Sequence, residues 1–273
     1  MTTTTESTST RHDGIRQQVR ARYGEIARED QRGCGCAPSC CTPGKGNSAA
    51  TDAHALGYSA EDLANAPEGS ELGLGCGNPT AIASIQPGET VVDLGSGAGF
   101  DCFLAARRVG DRGQVIGVDM TPDMISKARA NAARGGYANV EFRLGEIEAL
   151  PVADGTADLI LSNCVINLSP DKARVYREAF RVLKPGGRLA ISDIVALQPI
   201  PPTLKADLAA YTGCVAGAAS PATLESMLSA AGFTEVQVDV KADSRAFIND
   251  WIPGQNAGDF VASANITGRK PTS

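Results

Sequence analysis

Short apolar runs and capped helical segments alternate regularly from Glu89 onward, and this alternation leaves few folds open to the chain. Each apolar run is short and bounded by turn residues, which predicts buried strands. Between them, Ser, Thr and Pro mark helix starts and Gly marks helix ends. Strands and helices that alternate in this way build a parallel, doubly wound α/β sheet. The predicted strands cover residues 90–94, 114–118, 140–144, 157–162 and 188–195.

The N-terminal part of the chain carries a different pattern. Residues 1–12 are rich in Thr and Ser and predict a disordered tail. Apolar residues at helical spacing predict an amphipathic helix from Gly14 to about Arg28, with an arginine-bearing face that we expect in solvent. A loop rich in Cys, Gly and Pro follows over residues 32–50. We therefore treat residues 1–70 as tail, helix and cysteine-rich arm.

The regular alternation of predicted strands and helices ends after residue 198. A Pro-rich linker leads to helical sequence around residues 204–211, and a further helix begins at Ser220-Pro221 and ends at Gly232. Two alternating runs near residues 236–240 and 260–266 predict paired final strands. The division is thus a core over residues 71–198 and a small C-terminal extension over residues 199–273.

Composition excludes several functional classes. The chain has 25 Lys+Arg against 31 Asp+Glu, a formal net charge of −6, and its 42% hydrophobic content is typical of a globular protein. An acidic chain is a poor match for nucleic acid, which needs a broad basic face. No apolar run approaches the roughly 18 residues of a membrane helix, and the first residues lack the apolar block of a secretory signal. We therefore expect a soluble, cytoplasmic protein without nucleic-acid or membrane partners.

The strongest local motif is Val-Val-Asp-Leu-Gly-Ser-Gly-Ala-Gly over residues 91–99. Gly95, Gly97 and Gly99 allow the backbone to approach a ligand, and the helix that follows adds a favourable dipole. Phe100 breaks the dinucleotide fingerprint Gly-x-Gly-x-x-Gly, and Asp93 would repel a pyrophosphate. Such an acidic turn favours a cationic ligand, and S-adenosylmethionine carries both a sulfonium and an ammonium group.

Further residues fit the same ligand. Asp119 ends the second strand and is placed to accept both ribose hydroxyls. Met120 follows it and is placed to lie against an adenine. Asp101, in the first turn of the helix after the glycine motif, is a third candidate carboxylate for the cofactor site.

Together, these features resemble the class I S-adenosylmethionine-dependent methyltransferases. The resemblance implies a Rossmann-like, seven-stranded sheet with its last strand antiparallel. It also implies that Glu146 and Ile147 meet the adenine and that Asn163 lines the pocket.

The cysteines indicate what is methylated. The chain holds eight, and without an export signal they predict ligands or redox groups rather than structural disulfides. Cys76, Cys164 and Cys214 lie beside strand ends or among small residues, and their spacing matches no zinc module. Together they suit a soft, thiophilic ion. Cys102, inside a predicted helix, is expected in the core.

Three longer motifs resemble the arsenite methyltransferases. They are the segment 57–63, the segment Leu-Gly-Leu-Gly-Cys-Gly-Asn-Pro over 72–79 and the segment Ser-Asn-Cys-Val-Ile-Asn-Leu-Ser-Pro-Asp-Lys over 162–172. The resemblance extends from about Tyr58 to Lys270. It implies that Cys76, Cys164 and Cys214 bind trivalent arsenic, supplied as arsenite or as thiol conjugates. It also implies a thiol reductant, thioredoxin or glutathione, and an N-terminal cysteine that exchanges a disulfide with Cys76.

The identity of that N-terminal cysteine stays open between several candidates. Cys34, Cys36, Cys40 and Cys41 all lie in the arm, and we favour Cys40 or Cys41 as the redox partner, with Cys41 assigned to the catalytic set. The arm is alternatively a zinc or copper site, although its spacing matches no standard module.

The function predicted by these features is methyl transfer to thiol-bound arsenic(III), as in arsenic detoxification. The arsenic lone pair attacks the sulfonium methyl directly, so no general base is needed. His12 and His54 accordingly lie outside the predicted core. The alternatives are a small-molecule C- or O-methyltransferase of the same fold, which leaves the cysteine motifs unused, and a non-catalytic thiol protein that sequesters metalloids, which leaves the cofactor motif unused.

Overall fold

Seven strands form one mixed sheet that organises the molecule. The computed structural model of the chain describes residues 8–29, 53–202, 204, 214–251 and 255–272. The sheet order is β3-β2-β1-β4-β5-β7-β6, in which β7 runs antiparallel to both of its neighbours and the pairs from β3 to β5 are parallel. The strands are β1 Thr90–Leu94, β2 Gln114–Asp119, β3 Val140–Leu144, β4 Ala157–Asn163, β5 Leu183–Ala196, β6 Thr234–Lys241 and β7 Val261–Arg269.

Helices cover both faces of this sheet. The described helices are α1 Thr8–Glu29, α2 Ala60–Asn65, α3 Pro79–Ile82, α4 Phe100–Val109, α5 Pro122–Gly135, α6 Lys172–Val182, α7 Pro221–Ala231 and α8 Arg245–Trp251. None of them, in the part of the chain that the structure describes, is long and apolar enough to cross a bilayer. The doubly wound, seven-stranded prediction is confirmed, as is the pairing of the final strands.

Apolar residues on alternate positions of the central strands supply the two sides of the core. Val92 and Ile160 belong to one cluster, whereas Val91 and Leu159 belong to the cluster on the other face. Both faces of these strands are therefore buried, which explains why they appear in the sequence as continuous apolar runs.

The helix starts were predicted correctly in position, but their capping differs in detail. Ser220 accepts a hydrogen bond from the Thr223 backbone, as expected of an N-cap. Thr121 precedes α5 without a side-chain cap, and its backbone N–H donates to Asp119 at 2.8 Å. Helix α6 is capped by the Asp171 side chain, which accepts from the Arg174 backbone.

The N-terminal helix differs most from its prediction. Helix α1 begins at Thr8, so the expected tail over residues 1–12 is wrong for its last five residues. The arginine face is only partly in solvent, since Arg16 is 16% exposed and Arg28 is 59% exposed. Arg16 contacts Glu146 and Glu148, each at 3.3 Å, and Arg28 contacts Asp123 at 2.5 Å. These acidic partners lie far away in the sequence, so the helix pattern by itself did not reveal them.

Helical sequence expected around residues 204–211 lies outside the described residues, apart from Leu204. Strand β5 begins at Leu183 rather than at residue 188, so it follows α6 without a loop.

One close approach joins the segment after Cys214 to the turn after β4. A Cβ atom added to Gly217 would lie 2.1 Å from the backbone oxygen of Asn167. We expect Gly217→Ala to lower the free energy of unfolding by about 1–3 kcal/mol, because the backbone has to move apart. Urea unfolding followed by circular dichroism measures this loss.

Gly14 in α1 provides the matched control, since nothing lies within 4 Å of an added Cβ there. Gly14→Ala should stabilise the protein by up to about 1 kcal/mol. Equal stability of the Gly217→Ala variant and the unchanged protein would contradict the close approach.

Candidate active site

A cavity opens at the carboxyl ends of β1, β2 and β4, where ligands bind in open α/β sheets. Most of the residues predicted to bind the cofactor line it. They are Asp93, Gly95, Gly97, Asp101, Asp119, Met120, Ile147 and Asn163.

Two predicted cofactor residues do not line the cavity. Gly99 begins α4 with φ 97°, and an added Cβ would lie 2.7 Å from the Phe142 ring, so its role in the structure is close packing. Glu146 contacts Arg16 and Arg20 of α1 at 3.3 Å each. Glu146 therefore holds the N-terminal helix against the loop after β3 instead of facing the cavity.

The glycine turn forms part of the cavity wall and orients an acidic side chain there. Gly95 has φ 68° and Gly97 has φ 52°, in the region that side chains other than glycine seldom adopt. An added Cβ at Gly95 would lie 2.4 Å from the Val165 side chain. The Gly97 N–H donates to Asp119 Oδ2 at 3.0 Å, which orients this carboxylate at the end of β2.

Buried carboxylates give the cavity a negative character. Burial, together with the neighbouring Asp101, raises the pKa of Asp93 well above its usual value. Burial likewise raises the pKa of Asp101 to about 6, although Tyr58 and Asn163 donate hydrogen bonds to it. Ionised groups without counterions are costly in such a place. The arrangement therefore suits a cationic ligand.

One hydroxyl in the cavity wall is also unpaired. Ser96 Oγ is buried and has no hydrogen-bond partner within the described residues. Buried polar atoms are nearly always paired in folded proteins. The serine and the carboxylates together fit a ligand that carries hydroxyl, amino and cationic groups.

Sequence reasoning did not find the contributions of α1 and Tyr58 to the cavity. Arg16, Val19 and Tyr23 of α1 line it. Tyr58 donates to Asp101 at 2.7 Å and its ring packs edge-on against Phe100. Tyr58 stands inside a motif that the sequence analysis noted, but its spacing carried no sign of a contact with Asp101.

The thiols of Cys76 and Cys164 meet beside the cavity, and the Cys214 thiol lies next to Cys164 outside the 4.8 Å group. The Sγ atoms of Cys76 and Cys164 and a carboxylate oxygen of Asp193 all lie within 4.8 Å of one another. The Cys214 thiol donates to the Cys164 backbone oxygen at 2.9 Å. Cys164 lines the cavity, whereas Cys76 and Cys214 are each only 1% exposed and belong to the same apolar cluster.

Local backbone geometry explains how the thiols converge. Cys164 has φ 55° and Cys214 has φ 64°, a strained conformation that often marks functional residues. Cys76 stands between two glycines that approach their neighbours closely. Added Cβ atoms would lie 2.9 Å from Asn163 at Gly75 and 2.7 Å from Ser192 at Gly77. Small residues around Cys76 are therefore needed to bring its thiol against β4 and β5.

The thiols stay protonated at neutral pH. Burial raises the pKa of Cys76 to about 11. The hydrogen bond with Cys164, followed by burial, raises the pKa of Cys214 well above its usual value.

Asp193 is a further residue that sequence reasoning missed. It lies near the carboxyl end of β5, is 3% exposed, and accepts hydrogen bonds from the backbone N–H groups of Ile166 and Ile194 and from the Asn167 amide. Burial raises its pKa to about 6. Its position at a strand end was the available signal.

The remaining cysteines fall into two groups. Cys102 is fully buried and its thiol donates to Asp93 Oδ2 at 3.2 Å, so the prediction that it belongs to the core is confirmed. The four arm cysteines, Cys34, Cys36, Cys40 and Cys41, lie outside the described residues.

Fold and cavity together define a class I, Rossmann-like methyltransferase. The family profile described as "Methyltransferase domain" matches residues 85–232. A solved structure, the arsenic(III) S-adenosylmethionine methyltransferase of Chlamydomonas reinhardtii, is 34% identical with a TM-score of 0.59, over 81% of this chain and 73% of that one.

Curated relatives agree with this structure. The arsenite methyltransferase of Halobacterium salinarum is 51% identical over 94% of this chain, and that of Aquipseudomonas alcaligenes is 42% identical over 71%. The chain belongs to the arsenite methyltransferase family. It spans 66% and 57% of the lengths of these two relatives.

The acidic cavity generates a prediction about stability and binding. The pKa of Asp93 is higher in the folded protein than in the unfolded chain. As the pH rises, Asp93 therefore ionises at a lower pH in the unfolded chain, and the free energy of unfolding falls. Asp93→Asn should therefore raise the melting temperature, by more at about pH 7.5 than at about pH 5. The same variant should bind S-adenosylmethionine about tenfold more weakly, because a counter-charge is lost.

Calorimetry without ligand and titration with ligand test the two parts separately. A variant that is both less stable at neutral pH and unchanged in affinity would contradict the assignment of Asp93.

Proposed function

We propose that this protein transfers methyl groups from S-adenosylmethionine to trivalent arsenic bound by Cys76, Cys164 and Cys214. The observation that carries the proposal is the convergence of these thiols beside an acidic cavity. Soft thiolates select thiophilic centres, and a carbon or oxygen acceptor has no use for three buried thiols.

Arsenic binding needs no base in this arrangement. Arsenite in water is As(OH)₃, and three neutral thiols exchange with its three hydroxides to give a tris-thiolate and three molecules of water. Protons and charge balance within the exchange. The raised pKa values of Cys76 and Cys214 are therefore compatible with binding.

The residues around the cavity are assigned to the donor by their chemistry. Asp119 is oriented to accept the ribose hydroxyls. Met120 and Ile147 supply apolar surface for the adenine, and Asp93 and Asp101 supply negative charge for the methionine part. The donor supplies a methyl group that is electrophilic because it is bonded to a positively charged sulfur.

Methyl transfer then depends on position. Arsenic held by three sulfurs is pyramidal, and its lone pair points away from them. Cys164 stands at the boundary between the thiols and the cavity, and this position supports a bound arsenic whose lone pair faces the donor. Holding two reactants in this way is worth up to about 7–11 kcal/mol of the barrier.

Repeated turnover requires a reductant. Transfer converts arsenic(III) into arsenic(V), which has no lone pair for a second methyl group. A thiol reductant, thioredoxin or glutathione, restores arsenic(III), with an arm cysteine such as Cys41 exchanging with Cys76. This chemistry needs free thiols and so belongs to a reducing, cytoplasmic setting.

The thiols are tested first. Cys164→Ser and Cys214→Ser should each remove detectable methylation, because a hydroxyl is a poor ligand for arsenic. S-adenosylhomocysteine should bind both variants as it binds the unchanged protein. Arsenic speciation after incubation with arsenite, donor and excess thiol, including the headspace gas, gives the product.

Cys102→Ser is the matched control, since Cys102 is equally buried but lies outside the thiol cluster. It should still bind arsenite. Product from the Cys164→Ser variant would indicate a carbon or oxygen acceptor, and arsenite bound without donor-dependent product would indicate sequestration.

The arm cysteines give a separate prediction. A variant with Ser at positions 34, 36, 40 and 41 should make the first methyl transfer at the normal rate, because Cys76, Cys164 and Cys214 remain. Its steady-state rate with thioredoxin should fall by about tenfold or more, since disulfide exchange through the arm is lost. Comparison of single-turnover and steady-state product measures both. An unchanged steady-state rate would remove the arm from the cycle.

A further inference from the structure

We propose that Asp193 stabilises the positive charge that arrives on arsenic during methyl transfer. This inference rests on the proposed function and assigns a role to a residue that the binding of arsenic does not require.

Charge moves from one side of the site to the other in this reaction. The arsenic tris-thiolate is neutral before transfer. The arsenic lone pair forms the As–C bond while the C–S bond of the sulfonium breaks, and that electron pair stays on sulfur. The donor sulfur becomes a neutral thioether, and the methylated arsenic carries the positive charge. No proton is released or taken up.

The donor side alone favours the starting state. Asp93, Asp101 and Asp119 line the cavity and attract the cation before it has moved. Only interactions that are stronger in the transition state accelerate a reaction. An anion on the thiol side is therefore needed, because it attracts the positive charge in the transition state and so offsets the attraction by the carboxylates on the donor side.

Asp193 has the required position. Its carboxylate oxygen lies within 4.8 Å of the sulfurs of both Cys76 and Cys164, and these sulfurs share the positive charge of a methylated complex. The side chain is 3% exposed, so little water screens the interaction. It is the acidic residue that the structure places beside the thiols within the described part of the chain.

The hydrogen bonds of Asp193 favour its ionised form and fix the position of its carboxylate. Its oxygens accept from Ile166 N at 3.0 Å, Ile194 N at 2.8 Å and Asn167 Nδ2 at 2.9 Å. All of these groups are donors, and an ionised carboxylate only accepts. A charge held in this way needs no reorganisation when the reaction occurs.

Lys172 provides a charge of opposite sign near the same place. Its ammonium donates to the Ser169 oxygen at 3.2 Å, and the charges of Lys172 and Asp193 each favour the ionised form of the other. Removal of this cation should make the thiol side more negative. The two substitutions therefore act in opposite directions.

The test compares Asp193→Asn with the unchanged protein in a single turnover. The variant keeps the size of the side chain and removes its charge, and it should transfer the first methyl group at least about tenfold more slowly. Its arsenite affinity should stay within about threefold, because the bound complex is neutral. Trp251, the one tryptophan, packs in the apolar cluster that holds the thiols, so its fluorescence reports arsenite binding.

Asp158→Asn is the matched control. Asp158 lies at the opposite end of β4 and accepts from Thr90 N at 2.8 Å and Lys184 Nζ at 2.7 Å. It should leave both the transfer rate and the arsenite affinity unchanged. A merely structural role for Asp193 would instead weaken arsenite binding in step with the rate.

Lys172→Gln keeps the inference testable if Asp193→Asn does not fold. This partly exposed residue tolerates replacement more easily. At about pH 8.5, where Asp193 stays ionised even without the Lys172 charge, its loss should raise the single-turnover rate by about twofold or more. A rate that is unchanged or lower in Lys172→Gln overturns the inference, as does normal transfer by Asp193→Asn. Absence of methylated arsenic from the unchanged protein overturns the proposed function itself, and this inference with it.

Discussion

The junction between the carboxyl ends of β4 and β5 supports both halves of the site. Cys164 N donates to the Ser192 oxygen at 2.8 Å, and the turn that follows Cys164 donates two of its N–H groups to Asp193. The bond to Ser192 holds the backbone of Cys164 just after the end of β4 and so orients its thiol. Cys164 also lines the cavity. The same backbone contacts therefore position the thiol site relative to the proposed site of the methyl donor.

The site concentrates several features that lower the stability of the folded protein. Asp93, Asp101 and Asp193 are buried carboxylates whose pKa values are raised by burial, and Cys164 adds a strained backbone. Such features reduce stability, and proteins retain them mainly where function requires them. The extensive sheet on which the site stands supplies the stability that offsets them. A cationic ligand is the natural complement of the cavity, since its charge compensates the buried carboxylates.

The α/β core was predictable because its signals are local. Strands β1 and β3 have the predicted limits, and the helix over residues 122–135 ends at its glycine as expected. Apolar periodicity and turn residues act within a few positions, where the sequence can be interpreted directly. The arginine face of α1 was wrongly expected in solvent because Glu146 and Glu148 are more than a hundred residues away.

Local patterns in the sequence were enough to predict the succession of strands and helices, the glycine turn with its acidic residues, and cysteines at strand ends. Which of these groups lie side by side became clear from the folded chain. Folding brought Asp193 to the thiols, Tyr58 to Asp101, and α1 across the cavity. The physical reason is that secondary structure depends on neighbours in the chain, whereas a site depends on distances across the sheet. Those distances are set by packing of the whole core and leave no periodic mark in the sequence.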